Sequence, residues 1–291
     1  MKLQISLIIL TYNEEIHIER LLKNISDWAE EIFIVDSFST DKTLEIAKKY
    51  GTKIFQHKFE NQAQQFNWAL DNIKIKNDWI LRLDADEYLT EELKQEISEV
   101  LFNIRTSDVL NIDITGFYIK RRVYFMGRWI KHGGYYPTWI LRLFKKGKAR
   151  SEQRQMDEHI VLLEGKVGKL KNDFIDDNKK DLTWWIEKHN NYASREANEK
   201  MNYELKIMNN EGKIEGQAGR KRWLKNNFYY KMPMFLRACM YFCYRYFFRL
   251  GFLDGKEGLI FHFLQGFWYR FLVDAKIYEM RKMVVEKIDK V

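Results

Sequence analysis

Cysteine is scarce: Cys239 and Cys243 are the two present, four residues apart. That excludes a disulfide framework and fits a reducing compartment. Proline is equally rare, with two residues, and no Pro/Ser-rich linker or internal repeat divides the chain. No stretch of about 18–20 uncharged apolar residues occurs, so no conventional transmembrane helix is expected. The longest candidate, Met232 to Leu253, is interrupted by Arg237, Arg245 and Arg249. No signal peptide is expected either, because the apolar run Leu3 to Leu10 is short and leads straight into TYNEE.

What is present is an apolar fraction of 46% over 291 residues, enough for a packed core in one large or two modest domains. The net charge of +8 is uneven. Residues 220–291 hold 15 Lys+Arg against 6 Asp+Glu, while the rest of the chain is nearly neutral. Of the 45 aromatic residues, 19 lie between Trp223 and Tyr278. A basic, aromatic C-terminal region on a neutral body points to an anionic surface, membrane or nucleic acid.

The first hundred residues alternate strand and helix signals. Strands are predicted at 4–10, 31–36, 53–57 and 78–84, and helices at 14–25, 41–50, 61–73 and 91–102. Apolar strands alternating with helices predict an α/β fold with a mostly parallel sheet covered on both faces. Ligands of such sheets bind beyond the carboxyl ends of the strands. Those ends carry TYNEE (11–15), DSFSTD (36–41) and DADE (84–87), all polar and acidic. Further strands are predicted at 116–125, 138–147 and 158–165, and an almost wholly helical chain from Asp181. The main boundary is placed near 215, dividing a 1–215 domain, with halves of about 1–100 and 101–215, from a helical region 216–291.

Asp84 and Asp86, separated by Ala85 at a strand end, form a pair of carboxylates able to share Mg²⁺ or Mn²⁺. A cation held by so few protein oxygens completes its shell with water and a substrate diphosphate, and stabilises the charge on a departing phosphate. The plainer reading is an acidic cluster at the start of the next helix. Asp36 is suited to a base N–H or ribose hydroxyls, whereas Asp41 and Thr43 read as helix caps.

These motifs carry a resemblance. ISLIILTYNEE (5–15), IVDSFSTDKT (34–43) and WILRLDADEYLTEEL (79–93), in this order, resemble the family 2 glycosyltransferases of GT-A fold. NQAQQFNWAL (61–70) and FLDGKEGL (252–259) are similar to the bacterial branch related to lipopolysaccharide-core β-glucosyltransferases. The resemblance implies an inverting hexosyltransferase that uses a UDP-sugar. It implies that Thr11, Tyr12, Asn13 and Glu14 form the first nucleotide-contacting loop. Asp36 matches the uracil-contacting acid, with Ser37 beside it. Asp84 matches the acid near ribose and metal, and Asp86 the principal metal ligand. Relatives often carry a basic residue in the segment matched by Gln64–Asn67; here Gln65 and Asn67 are left to hydrogen-bond the donor. The general base is expected in MDEHI (156–160), with Glu158 the first choice and Asp157 the second.

Other candidates rest on less. Arg142 alternates with apolar neighbours and either neutralises the diphosphate or is a solvated strand residue. His132, in the loop KHGGYYP, and His189, on a helix, are candidates for the sugar or acceptor, with exposure and packing as their plainer readings. Arginines interleaved with aromatics over 222–280 predict helices lying on an anionic membrane surface. The competing expectation is that these helices pack on each other or on a second copy of the chain. Nucleic acid is disfavoured because no nucleic-acid fold is visible.

The expected protein is thus a peripheral enzyme on the cytoplasmic face of the bacterial inner membrane, acting on a lipid-linked or lipopolysaccharide-type glycan. Two alternatives leave more unexplained. A nucleotidyltransferase or nucleotide-binding protein of the same fold lacks a Gly-rich basic signature near the first strand, and a non-catalytic membrane module leaves DADE, Asp36 and TYNEE without a role.

Overall fold

The computed structural model describes residues 2–106, 113–152, 158–204 and 216–288. The chain separates into two compact units, one from the described parts of 1–127, 137–154 and 158–179, the other from those of 128–136 and 180–291. The division at 179/180 falls well before the expected 215. The cause is the helix after 180, whose Ala193 and Ala197 pack with Tyr269, Val273 and Ile277 into a core of the second unit.

The first unit begins β1 (Leu3–Thr11), α1 (Ile18–Ile25), β2 (Ala29–Asp36), α2 (Thr43–Lys49), β3 (Lys53–Gln56), α3 (Gln62–Asn72), β4 (Trp79–Asp84), β5 (Glu87–Leu89) and α4 (Glu91–Thr106). It continues with β6 (Ile114–Phe125), β8 (Thr138–Lys145), β9 (Ala149–Ser151), β10 (Ile160–Leu162) and β11 (Lys166–Asp177); the two-residue β7 (Arg128–Trp129) belongs to the second unit. The main sheet runs β3-β2-β1-β4-β8-β6-β11-β5. Strands β3, β2, β1 and β4 are mutually parallel, β8 is antiparallel to both its neighbours, and β11 is parallel to β6.

The apolar run of β1 reflects burial on both faces. Ile5, Leu7 and Ile9 pack with Leu21 and Leu22 of α1 and Leu93 and Ile97 of α4. Ile8 joins Phe33, Val35 and Phe66 of α3 on the other side. Alternate residues of one strand therefore build two cores, as the period of two requires. β9 and β10 form a separate antiparallel pair. β11 and β5 were not expected: the charged stretch KVGKLKNDFIDD conceals a strand that lies between β6 and β5 in the sheet.

The second unit is helical: α5 (Leu182–Glu204), α6 (Gly216–Asn227), α7 (Leu236–Cys243), α8 (Gly255–His262) and α9 (Tyr269–Ile288), with π-helical stretches at Tyr244–Phe248 and Phe263–Trp268. No helix among the described residues is long and apolar enough to cross a membrane. The arginines expected at a lipid-facing rim are partly withdrawn. Arg237 is buried on Asp274, with Nε 2.9 Å from Oδ1, and Arg245 is buried with Nε donating to the Gly133 carbonyl at 2.7 Å. Each finds an internal acceptor, which offsets the cost of burying its charge.

Candidate active site

The ends of β1 and β2 lie level, with Thr11 opposite Asp36, and Leu10 of β1 lies opposite Asp84 of β4. The three acidic segments therefore emerge side by side. Thr11 Oγ1 donates to Asp36 Oδ1 at 2.9 Å. Ser39 donates twice, through Oγ to Oδ1 at 2.5 Å and through its N–H to Oδ2 at 2.8 Å. Asp36 is fully buried, so its carboxylate first serves to bind the two loops together.

The rest of this junction is equally specific. The N–H of Asn13 donates to Ser39 Oγ at 2.9 Å, and that of Glu14 to Thr43 Oγ1 at 2.8 Å. Asn13 Oδ1 accepts from the Thr40 N–H at 2.9 Å. Asn13 and Phe38 hold φ of 52° and 60°, a region that costs a non-glycine residue energy and clusters at functional loops. Helix α1 starts at Ile18, after a turn in which the N–H groups of His17 and Ile18 donate to the Glu14 carbonyl. Tyr12 and Phe38 stand exposed, at 57% and 54%, leaving two aromatic faces available beside the buried acid. Ser37 Oγ accepts from Gln65 Nε2 at 3.1 Å, and Gln65 Oε1 accepts from His57 Nδ1 at 2.7 Å. Ser37 and Gln65 are thus brought together. Asn67 is not: its side-chain amide exchanges hydrogen bonds with the backbone of Ser151 at 2.8 and 3.0 Å, which anchors β9 to α3. Its expected place as a donor contact gives way to scaffolding.

Asp84-Ala85-Asp86 forms a turn between β4 and β5, with Ala85 buried. Glu87 closes the turn by accepting from the Asp84 N–H at 2.8 Å. The Asp84 carboxylate is flanked by two buried arginines, with Arg82 Nη2 3.3 Å from Oδ1 and Arg142 Nη2 3.1 Å from Oδ2. Arg142 also reaches Glu87 Oε1 at 2.5 Å. Burial works against the Arg142 charge, but Glu87 and Asp84 outweigh it and raise its pKa, so it is held protonated. Arg142 is therefore not solvated: it is buried in the ion-pair cluster behind the acidic turn.

Asp86 differs from Asp84. Its carbonyl accepts from Arg20 Nη2 at 3.0 Å and from the Asp177 N–H at 3.1 Å. Its carboxylate Oδ2 accepts from Asn178 Nδ2 at 2.8 Å, while Oδ1 has no hydrogen-bond partner among the described residues. No cluster of three or more His, Cys, Asp or Glu able to hold a metal occurs among the described residues. The Asp86 carboxylate oxygen is of the kind that a hard divalent cation would take as a ligand. Both Asp84 oxygens face guanidinium groups, those of Arg82 and Arg142.

Glu158 lies two residues before β10, beside His159, whose N–H donates to Glu152 Oε1 at 2.9 Å. Asp157 lies outside the described residues. His132 and His189 belong to the second unit. His132 is bound to buried Asp254, through Nδ1 to Oδ1 at 2.6 Å and through its N–H to Oδ2 at 2.9 Å. His189 stacks on Trp185 with ring centroids 3.5 Å apart, and its Nδ1 lies 2.8 Å from the Trp185 carbonyl. Burial lowers its pKa to about 4. In the folded chain it is packed against Trp185 and favoured in its neutral form.

Several residues of the site were not singled out from sequence: Arg82, Ser39, Arg20 and Asn178. For Arg82 a signal existed, since a cation two residues before a strand-end acid points to the same side of the sheet. Ser39 had a weaker one, as a hydroxyl three residues beyond Asp36 in a loop. Arg20 and Asn178 reach Asp86 from parts of the sequence that no local pattern connects.

The chain resembles several known proteins in sequence. It is 41% identical over 105 residues to an uncharacterized glycosyltransferase of Rickettsia bellii, a match spanning 36% of this chain and 35% of that protein. It is 30% identical over 177 residues to the lipopolysaccharide core biosynthesis glycosyltransferase LpsC of Rhizobium meliloti, covering 57% of this chain and 60% of LpsC. The matched region thus spans about a third of the first relative and less than two thirds of the second. Among solved structures, S. aureus TarS 1–349 aligns over 96% of this chain and 92% of its own, at 15% identity and a TM-score of 0.47. The sequence model described as glycosyl transferase family 2 matches residues 6–157, more than half of the chain, and the chain accordingly belongs to that family.

Proposed function

We propose that the protein moves a hexosyl group from a UDP-sugar to a hydroxyl of a lipid-linked or lipopolysaccharide-type glycan, with inversion at the anomeric carbon. The observation that carries this reading is the level alignment of Thr11, Asp36 and Asp84 at the ends of three parallel strands, with Asp86 just beyond. The 30% identity to LpsC supports the acceptor class. In this reading Tyr12 and the loop 11–14 cover the base, Asp36 and Ser37 fix the loops that hold uracil and ribose, and Gln65 supports Ser37. Asp86 holds Mg²⁺ or Mn²⁺, which supplies positive charge to the leaving diphosphate. Arg82 and Arg142 keep the Asp84 carboxylate fixed, so the acidic turn is organised before substrate arrives.

The acceptor oxygen forms the new bond to the anomeric carbon from the face opposite the diphosphate, and the bond to the diphosphate oxygen breaks with its electron pair. Glu158, or its neighbour Asp157, takes the hydroxyl proton. The basic, aromatic second unit holds the enzyme at the cytoplasmic face of the bacterial inner membrane, where such an acceptor is anchored. The deciding experiment is a panel of sugar nucleotides read by nucleotide release, followed by mass analysis of the product on a lipid-linked acceptor. Release of UDP that depends on both Mn²⁺ and the acceptor is the expected result. Absence of release with every UDP-sugar, or a product formed by nucleotidyl transfer, would sink it.

A further inference from the structure

The arm of the second unit formed by α7 and the π-helical stretch after it is inverted in polarity. Its charges turn inward. Arg237 is buried against Asp274, and Arg245 lies over the Tyr135 ring at 3.9 Å while donating to the Gly133 carbonyl. The opposite face carries Leu236, Met240, Tyr244, Phe247 and Phe248, all exposed, with Phe248 at 79%. Their spacing of i, i+4, i+8, i+11 and i+12 aligns them in one stripe. Cys239 and Cys243 are exposed within it, and Phe252 and Leu253 in the following turn extend it. Apolar residues scattered singly on a surface need no explanation, but a continuous stripe does.

Charge tells what covers the stripe. From 216 to 263 the sequence holds nine Lys+Arg and only two acids, Asp254 and Glu257. Asp254 is buried on His132, and Glu257 lies 3.9 Å from Arg128. Arg220, Lys231, Arg249 and Lys256 are exposed. An uncharged aromatic stripe, flanked in sequence by exposed cations, with one of the two nearby acids buried and the other beside Arg128, is complementary to the boundary between anionic headgroups and acyl chains.

We infer that the face running from Leu236 to Phe248 seats in an anionic bilayer, with Lys231, Arg249 and Lys256 against lipid phosphates. The inference rests on the membrane reading of the second unit given above and narrows it to one face; it is independent of the transfer reaction. Arg237 and Arg245 brace the arm from within, and the arm meets lipid with its apolar side.

The two native cysteines provide the probe. Full-length Cys243→Ser protein, labelled at Cys239 with an environment-sensitive dye, is mixed with vesicles containing phosphatidylglycerol or with phosphatidylcholine alone. Co-sedimentation with the anionic vesicles, a blue shift of the dye and its quenching by a lipid-borne quencher are expected. Met240→Glu and Phe247→Glu should each lower partitioning about tenfold with an unchanged circular dichroism spectrum and Tm. Co-sedimentation without a dye shift would overturn this face while leaving membrane association standing. No co-sedimentation would overturn both. Equal partitioning onto neutral vesicles would overturn the headgroup contacts, and a dye already shifted without lipid, with dimer mass on sizing, would assign the stripe to a second copy.

Discussion

Arg142 donates to Glu87 at 2.5 Å, a buried ion pair that joins β8 to the short strand following the acidic turn. Breaking one side of such a pair leaves a charge buried without a partner, whereas removing both sides restores balance. Arg142→Met is expected to cost about 3–5 kcal/mol of stability, read by urea unfolding. The double variant Arg142→Met/Glu87→Met should recover a good part of it, although the Asp84 N–H then loses its acceptor. Arg142→Lys should also destabilise, because a single ammonium cannot reproduce the planar fork that reaches Asp84 and Glu87 together. A fully stable Arg142→Met would show that the pair does not organise the turn.

Asp86 is placed to lose function without losing the fold. Its backbone carbonyl, not its side chain, takes the contacts from Arg20 and Asp177. Asp86→Asn keeps an acceptor for Asn178 and should change stability by no more than about 1 kcal/mol. Turnover should fall at least about a hundredfold, because the cation loses its charged protein ligand. Steady-state UDP release at several Mn²⁺ concentrations, beside thermal unfolding, separates the two effects. Normal turnover in the variant would remove Asp86 as the metal ligand.

Asp36 should behave differently, because its carboxylate holds both loops. Asp36→Ala strands the Thr11 and Ser39 hydroxyls and the Ser39 N–H. Buried donors left unpaired cost about 1–3 kcal/mol each, and the loops are expected to loosen before the sheet does. A rise in KM for the UDP-sugar of about tenfold or more is expected, a tenfold change in binding being about 1.4 kcal/mol. Ser39→Ala should give a weaker form of the same KM effect, since it removes one of three donors. An unchanged KM in both variants would mean that the loops do not hold the nucleotide.

The half of the fold that carries the site was legible because its strands are buried on both faces. Continuous apolar runs such as ISLIIL and IFIV cannot be anything but interior, and the polar residues that end them mark the crevice. The eight predicted strands and helices of residues 4–102 all appear, shifted by a few residues at their ends. β11 was hidden because its alternation is diluted by Lys169, Lys171 and Asn172. The ion-pair cluster was only half visible: Arg142 stood out, but its place beside Asp84 depends on the antiparallel pairing of β8 with β4, which no local spacing encodes. Arg237 of α7 misled for a related reason. A basic residue among aromatics reads as a headgroup contact until its acceptor, here Asp274 some forty residues away in sequence, comes into view.

His189 gives one pH dependence of the second unit. Burial lowers its pKa to about 4, with the Trp185 carbonyl bond opposing that shift and Lys188 adding to it. The unfolded chain has an ordinary histidine, near 6.5. Because the folded value is the lower one, the unfolded state takes up a proton first as pH falls. The stabilisation is complete above about pH 6.5 and is lost as pH falls towards 4. Between about pH 7.5 and pH 5 this single group should remove on the order of 2 kcal/mol. Carboxylates titrate in the same range, so the quantity to measure is the difference in urea-unfolding free energy between wild type and His189→Phe at each pH. Phenylalanine keeps a ring against Trp185 but cannot bind the proton. The variant should therefore be less stable at neutral pH, where it lacks the bond to the Trp185 carbonyl, and should close the gap as the medium is acidified. A gap that stays constant from about pH 7.5 to pH 5 would show that His189 does not titrate differently in the folded and unfolded chains.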